Sequence, residues 1–215
     1  MGFRHDEVRN LFGEFFKRAG YVSVTTEPHL IRLTEEQKQK TIIDPITSNM
    51  TQKGYFEHNS AITSDDARAD ISCINFLTSH MRSFFDVRVT NPNRKGYGDK
   101  ELSQIYHEHE QEKRNNYEER IIEVEHGSFF PLVFSIFGGA APEANFVLKA
   151  LAKRIAEREN DHVSCVMGYL RTRLCFPLLR SALVCLRDCR KRTGKDAEFA
   201  EFQLDSVDAQ LSCAI

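Results

Sequence analysis

Hydrophobic side chains recur at helical spacing near both ends of the chain. In residues 3–19 they follow one another every three or four positions, which predicts an amphipathic helix. Pro142 is well placed as the first residue of another helix over residues 142–159. Residues 162–192 are helical by the same pattern, with a break or kink expected at Pro177.

Short apolar runs in the middle of the chain predict strands. Two of them, residues 69–74 and 83–89, are joined by a polar connection, so a β-hairpin is the simplest arrangement. The pattern also predicts an extended segment over residues 21–33, a highly charged helix over 100–119, and strands over 120–125 and 129–137. This order of elements predicts an α/β domain with a mixed central sheet flanked by helices.

Changes in composition indicate which segments lie outside the packed core of the domain. Residues 34–66 are polar and contain Pro, Asn and Gly, which favours a long, poorly packed insertion loop. Residues 193–215 are acidic and lack a clear helix end, so a flexible tail is expected there. The prediction is one α/β domain over residues 1–192, in which residues 142–192 form a C-terminal helical extension.

The overall composition is that of an ordinary globular protein. The 215 residues are 41% hydrophobic and 28% charged with a net charge of −2, so any basic surface for nucleic acid must be local. No apolar run approaches the roughly 20 residues of a membrane span, and the charged start does not resemble a signal peptide. We therefore expect an intracellular protein without a membrane segment. Its six cysteines, none in a C-x-x-C pair, are expected to be reduced and mostly buried.

The densest candidate chemistry lies in the predicted hairpin. In its second strand, alternation places Asp86 and Arg88 on one face, where a charge is costly unless it is paired or binds a cation. Asp70 opens the first strand, so pairing of the strands would bring the two carboxylates together. Mg²⁺ usually takes one or two carboxylates plus water and phosphate. An internal salt bridge of either aspartate with Arg68, Arg82 or Arg88 would explain the same pattern.

Several acidic features follow one another in a fixed order. An early helix carries Glu7, Ala69-Asp70 opens a later strand, and Asp86-Val87-Arg88 stands in place of an acid-x-Lys signature. This order resembles the PD-(D/E)XK, or restriction-endonuclease-like, nuclease family. The longer segments RADI, FFDVRVTNP, EVEHGSFFPLVFS and GG..PEA resemble domains encoded downstream of reverse transcriptases in animal retroelements, and the similarity covers about residues 4–190.

The resemblance implies a restriction-endonuclease-like core and a metal-dependent DNA endonuclease activity in a mobile genetic element. Asp70 and Asp86 would bind Mg²⁺ or Mn²⁺, with the Val87 carbonyl as a candidate third ligand and Glu7 contributing directly or through a bound water. Such an ion polarises the scissile phosphate and lowers the pKa of the attacking water. The implied partners are DNA or RNA–DNA intermediates, and the chain would be part of a larger retroelement polyprotein.

The chain departs from the family pattern at Arg88. Arginine cannot act as a base because its pKa lies far above neutrality, although it can bind phosphate through two hydrogen bonds. Lys113 is the candidate replacement, and Tyr117, four residues later, faces the same way on the predicted helix. This Lys-x-x-x-Tyr pattern resembles the Gln-x-x-x-Tyr helix of recombination-type exonucleases in the same superfamily. A solvated face of a helix rich in Glu and Lys is the alternative.

A basic stripe near the end of the chain is the candidate nucleic-acid surface. Arg173, Arg180 and Arg187 recur every seven residues, which allows them to share one helix face. Together with Arg88, such a stripe can neutralise phosphates and give salt-dependent DNA affinity. A solvated helix face opposite the Leu/Val/Cys core stripe is the alternative.

Further polar residues are weaker candidates. Glu123 and Glu125 lie on one face of a predicted strand beside His126, where they could complete an acidic site or simply line a strand edge. His107 and His109 point to nearly opposite sides of a helix, so they cannot chelate one ion together. If no lysine or arginine supports catalysis, the domain would be an inactive nucleic-acid-binding or protein-interaction module of the same fold.

Overall fold

The computed structural model describes residues 3–38, 56, 58 and 60–190, with the backbone alone at 3–4, 181 and 184–190. The chain divides into a compact unit, Met1–Leu183, and a second unit, Val184–Ile215. In chain order the elements are α1 (Phe3–Arg18), β1 (Val22–Thr26), α2 (Glu35–Lys38), β2 (Ile71–Ile74), β3 (Arg82–Thr90), α3 (Leu102–Glu123), β4 (Ser128–Ser135), α4 (Pro142–Glu159) and α5 (Val163–Arg190). No helix in these described ranges is long and apolar enough to cross a membrane.

The four strands form one mixed sheet in the order β1-β2-β3-β4. The pairs β1–β2 and β2–β3 are antiparallel, whereas β3 and β4 are parallel. The predicted hairpin and the α/β class with a mixed, helix-flanked sheet are therefore confirmed. Pairing of β2 with β3 stops at Ile71 opposite Phe85, whereas β3 continues along β4 to Thr90. In the described chain, the second half of β3 thus has a strand neighbour on one side only.

Alternation along β3 divides its side chains between two helical layers. Phe85 and Val87 are buried in the main core, to which α1, α4 and α5 also contribute. Phe84 is buried on the opposite face, in a cluster that includes Ile121 of α3. Asp86 follows Phe84 by two residues and therefore faces α3. The sheet thus presents a charged residue to the helix that covers it.

Residues 120–125 are not a strand, so that prediction was wrong. Helix α3 continues to Glu123 before a turn leads into β4. Tyr117, Ile121 and Val124 recur every three or four residues, and each packs against a buried cluster. Helical burial therefore outweighs the β propensity of the isoleucines and the valine in this segment.

Two residues of the predicted insertion, residues 34–66, are buried against the domain. Phe56 and Ala61 are buried with Leu33 in a small cluster. Helix α2 has no buried residue, and the other described residues of the segment are exposed or half-buried, so the poorly packed insertion stays a prediction. The middle of the segment, residues 39–55, lies outside the described residues, as does the predicted tail over residues 193–215.

A fully buried arginine, Arg120 of α3, fixes the path of this segment. Its guanidinium donates hydrogen bonds to the carbonyl oxygens of Ile31 at 2.8 Å, Ile62 at 2.8 Å and Ser64 at 3.0 Å. Burial lowers the pKa of this arginine from its ordinary value. Two chain segments that carry no regular structure, around Ile31 and over residues 62–64, are therefore tied to one helix through a single side chain.

Helix α5 runs without interruption from Val163 to Arg190, so the break considered at Pro177 does not occur. One face of the helix is buried in the main core through residues spaced four apart. These residues are Val166, Leu170, Leu174 and Leu178. Cys165 and Cys175 are exposed, contrary to the expectation of burial, whereas Cys73 is buried in the sheet. The two exposed cysteines fall outside the buried stripe because their positions do not share its spacing.

Candidate active site

Asp70 and Asp86 lie next to each other where β2 begins beside β3. Asp70 precedes Ile71, the first residue of β2, which pairs with Phe85 of β3. The backbone N–H of Asp70 donates to the Phe85 carbonyl at 3.1 Å. The carboxylates are close enough for the charge of Asp70 to raise the pKa of Asp86. The structure therefore brings together the two acids that the sequence singled out.

One oxygen of Asp70 receives two hydrogen bonds. The backbone N–H of Val87 donates to Oδ2 at 2.6 Å, so the Asp70 side chain replaces the strand that β3 lacks at this point. His5 Nε2 lies 2.8 Å from the same oxygen, and its proton must be donated because an ionised carboxylate only accepts. This hydrogen bond is the main cause that raises the pKa of His5.

His5 is a member of the site that sequence reasoning missed. It precedes Val8 by three residues and Phe12 by seven, and both are fully buried on one face of α1. A polar residue at helical spacing from this face is directed toward the domain rather than toward solvent. That spacing was the available signal, although it could not indicate which residue His5 would meet.

Asp86 is buried against α3 and faces a lysine. Its side chain is 5% exposed, and Oδ2 lies 2.6 Å from Lys113 Nζ. Burial raises the pKa of Asp86 to about 6, an effect that the charge of Lys113 opposes and that of Asp70 reinforces. Ionisation of Asp86 in the folded protein therefore costs free energy, and a further positive charge nearby would reduce that cost.

Lys113 and Tyr117 face the acids from the same side of α3, as their spacing predicts. Lys113 Nζ lies 5.6 Å from the centroid of the Tyr117 ring, which stacks on Phe129. Burial and then the charges of Asp86 and Asp70 raise the pKa of Tyr117 well above its usual range. The phenol therefore stays protonated at neutral pH and can serve as a hydrogen-bond donor.

The internal salt bridge that the sequence also allowed does form, but with other partners. Asp86 pairs with Lys113 and Asp70 with His5, rather than with Arg68, Arg82 or Arg88. Arg88 instead pairs with Glu112 of α3, Nη1 to Oε2 at 2.8 Å, and its side chain is 29% exposed. Arg88 therefore lies on the same face of β3 as Asp86 but has its own acidic partner.

Glu7 is not brought to the two aspartates. Glu7 Oε1 instead lies 3.2 Å from Arg180 Nη1. Two helical turns further along α1, Glu14 Oε2 lies 3.5 Å from Arg173 Nη2. These contacts form an ion-pair ladder between antiparallel helices α1 and α5, which offsets the charge of the expected basic stripe. The side chain of Arg187 lies outside the described residues.

The glutamates and histidines that the sequence suggested as weaker candidates are exposed or have partners other than Asp70 and Asp86. Glu123 is exposed on α3, and Glu125 in the following turn accepts a hydrogen bond from Ile31 N–H, so the acidic strand face expected beside His126 does not exist. His107 is exposed and His109 is buried, as their opposite orientation predicts. His109 Nε2 contacts the Tyr97 hydroxyl at 2.7 Å.

Only two of the three expected metal ligands, Asp70 and Asp86, lie close together, so a divalent ion would have to be held by these two carboxylates. Among the residues that the structure describes, no three His, Cys, Asp or Glu side chains are grouped to hold a metal, so Glu7 does not complete such a set. Mg²⁺, however, needs only one or two carboxylates when water and phosphate supply the remaining ligands. The Val87 carbonyl points to the same side of β3 as its N–H, toward Asp70, and adds a neutral oxygen there. The buried Asp86 carboxylate would gain from a neighbouring cation.

We predict that Asp86→Asn stabilises the fold at neutral pH. The pKa of Asp86 is raised to about 6 in the folded state, so this group favours folding below about pH 4 and loses that contribution as pH rises to about 6. Asparagine stays neutral, and the unfolding free energy at pH 7.5 should rise by about 1–3 kcal/mol. Urea unfolding at pH 4 and 7.5 measures the difference in unfolding free energy between the variant and the native protein, and this difference should vanish at pH 4. Exposed Asp99→Asn is the matched control, and destabilisation by Asp86→Asn at both pH values would contradict the prediction.

No family model, curated protein or solved structure matches the chain.

Proposed function

We propose that the chain is a Mg²⁺- or Mn²⁺-dependent DNA endonuclease-like domain of a mobile genetic element, acting inside the cell. The observation that carries this proposal is the meeting of Asp70, Asp86 and Lys113 from three distant places in the chain, with Lys113 Nζ 2.6 Å from Asp86 Oδ2. Two acids and a lysine are the functional groups of the family that the sequence resembles. Here a helix supplies the lysine in place of the strand position held by Arg88.

Each residue of the site has a definable part in phosphodiester hydrolysis. Asp70 and Asp86 would hold the ion, which supplies Lewis acidity to the phosphate and lowers the pKa of water when bound. Lys113 is placed to stabilise negative charge that develops on the phosphate. Tyr117 adds a neutral donor, since the raised pKa keeps its hydroxyl protonated. Arg88 offers a second phosphate contact if the phosphate competes with Glu112 for its guanidinium.

The nucleic-acid substrate is inferred from the resemblance and from local charge rather than from net charge. The sequence carries only −2 overall, and the α1–α5 ladder offsets two of the arginines expected to contact phosphate. These arginines remain 47% and 59% exposed, so a phosphate could still compete for them with Glu14 and Glu7. DNA or RNA–DNA intermediates are the proposed substrates, and a place in a larger retroelement polyprotein is proposed on the sequence resemblance alone.

A catalytically silent nucleic-acid-binding module is the second candidate. It is favoured by the ion pairs themselves, because Lys113 and His5 already accompany both carboxylates without any metal. In such a module the two acids would only repel phosphate. Asp70→Asn and Asp86→Asn would then strengthen DNA binding without affecting any cleavage.

The proposal is tested first on the native protein across metal ions. Supercoiled plasmid should be nicked with Mg²⁺ or Mn²⁺ and left intact with EDTA, because the acids alone cannot activate water. A salt titration of DNA binding by gel shift is measured in parallel. Salt-sensitive binding without nicking under any metal would favour the silent module, and neither binding nor nicking would contradict both candidates.

A further inference from the structure

We infer that His5 is the positioning residue of the proposed metal site, which turns the Asp70 carboxylate so that one oxygen remains available to a divalent ion. This inference rests on the proposed function, because it concerns how the same two acids bind a cation. It assigns to His5 the contribution of α1 that the family pattern would give to Glu7.

The hydrogen bonds of Asp70 are unequally divided between its two oxygens. Oδ2 receives both the His5 Nε2 proton at 2.8 Å and the Val87 N–H at 2.6 Å. In the part of the chain that the structure describes, Oδ1 of Asp70 receives no hydrogen bond, and the side chain is 13% exposed. Two donors on one oxygen fix the rotation of the carboxylate, and the other oxygen is the one left for a ligand.

The backbone of α1 determines that His5, rather than Glu7, reaches this position. Val8 and Phe12 are fully buried and hold the helix against the main core, and His5 lies on the same face. Glu7 is two residues further along and points elsewhere, toward Arg180 on α5. Rotation of α1 to bring Glu7 to Asp70 would expose the buried residues.

His5 contributes little to the packing of the fold. Its side chain is 36% exposed, so truncation leaves no closed cavity. Hydrogen-bond partners of metal ligands orient those ligands, and their loss typically weakens metal affinity about 10- to 100-fold. Removal of the imidazole should therefore reduce metal affinity far more than it reduces stability.

The test measures Mn²⁺ binding by the signal of free Mn²⁺ in electron paramagnetic resonance, without DNA or turnover. His5→Ala should weaken Mn²⁺ binding at least about 10-fold. His5→Gln, whose amide N–H can replace the imidazole donor, should bind within about threefold of the native protein. His107→Ala, at an exposed position on α3, is the matched control, and thermal unfolding of each variant accompanies the titration.

The outcomes separate this inference from the proposal on which it rests. Native affinity in His5→Ala, with binding abolished in Asp70→Asn, would overturn the role of His5 and leave the metal site standing. An equal loss of Mn²⁺ affinity in His5→Ala and His5→Gln, at unchanged thermal midpoints, would also overturn the role of His5. Hydrogen-bond donation to Asp70 would then not be what supports Mn²⁺ binding. If the native protein binds no Mn²⁺, the proposed metal site fails and the role of His5 fails with it.

Discussion

For the proposed endonuclease, we expect Lys113→Met to lower metal-dependent cleavage by about 100- to 1,000-fold, the usual cost of removing one group that stabilises transition-state charge. Lys113 Nζ is the positive group at Asp86, and its side chain is only 19% exposed, so solvent cations do not replace it readily. The substitution also removes the charge that opposes the raised pKa of Asp86. Single-turnover nicking of plasmid at saturating Mn²⁺ measures the loss.

Raising the pH separates the two effects of this substitution. If Lys113→Met acted only by protonating Asp86, cleavage would recover fully at alkaline pH, whereas loss of charge stabilisation persists there. Lys153→Met is the matched control, since Lys153 is 73% exposed on α4 and should leave the rate within about twofold of native, as expected for a surface site. An unchanged rate in Lys113→Met would remove the lysine from the mechanism.

Arg120→Met is expected to have the largest effect on stability, about 3–5 kcal/mol. The guanidinium is fully buried and donates to three carbonyl oxygens from the segments around Ile31 and Ile62–Ser64. The three hydrogen bonds are partly buried, and an acceptor that loses its partner out of reach of water costs about 1–3 kcal/mol; methionine fills most of the volume without restoring a donor. Urea unfolding measures the change in the free energy of unfolding.

An exposed arginine provides the comparison for this prediction. Arg171→Met on α5 should change the unfolding free energy by less than about 0.5 kcal/mol, as surface substitutions usually do. A loss below about 1 kcal/mol in Arg120→Met would mean that water or relaxation satisfies the carbonyls, and that this side chain does not hold the segments in place.

The central strands could be predicted because their pattern is local. The alternation through Phe84, Phe85 and Asp86 fixed which face each side chain takes, and a short polar connection fixed the hairpin. Placement of Asp70 beside Asp86 followed from that pairing. Helical spacing likewise placed Lys113 and Tyr117 on one side of α3.

Other features depend on contacts that sequence spacing does not encode. Arg120 is buried because backbone carbonyls from distant segments accept its hydrogen bonds. The pattern of side chains along the sequence does not predict such backbone partners. Burial of Tyr117, Ile121 and Val124 against distant residues likewise extends α3 through residues that favour strands. His5 and Glu7 are both polar residues on α1, and only the docking of the helix decides that His5 meets Asp70 while Glu7 meets Arg180.

The ion-pair ladder changes the expectation for the basic stripe. A seven-residue spacing of arginines predicts a shared face, and Arg173 and Arg180 do share one. The matching seven-residue spacing of Glu7 and Glu14 on α1 then directs both arginines toward an internal partner. Exposed pairs of this kind contribute at most about 1 kcal/mol each, so they affect the surface charge more than the stability.

The most direct test of the central claim is Mn²⁺-dependent nicking of supercoiled plasmid by the native protein and by Asp86→Asn. This variant is expected to be folded and more stable at pH 7.5, so loss of activity cannot be ascribed to unfolding. The proposed active site predicts nicking by the native protein and none by Asp86→Asn at equal DNA binding. Equal nicking by both proteins would show that Asp86 is not part of an active site and would contradict the account.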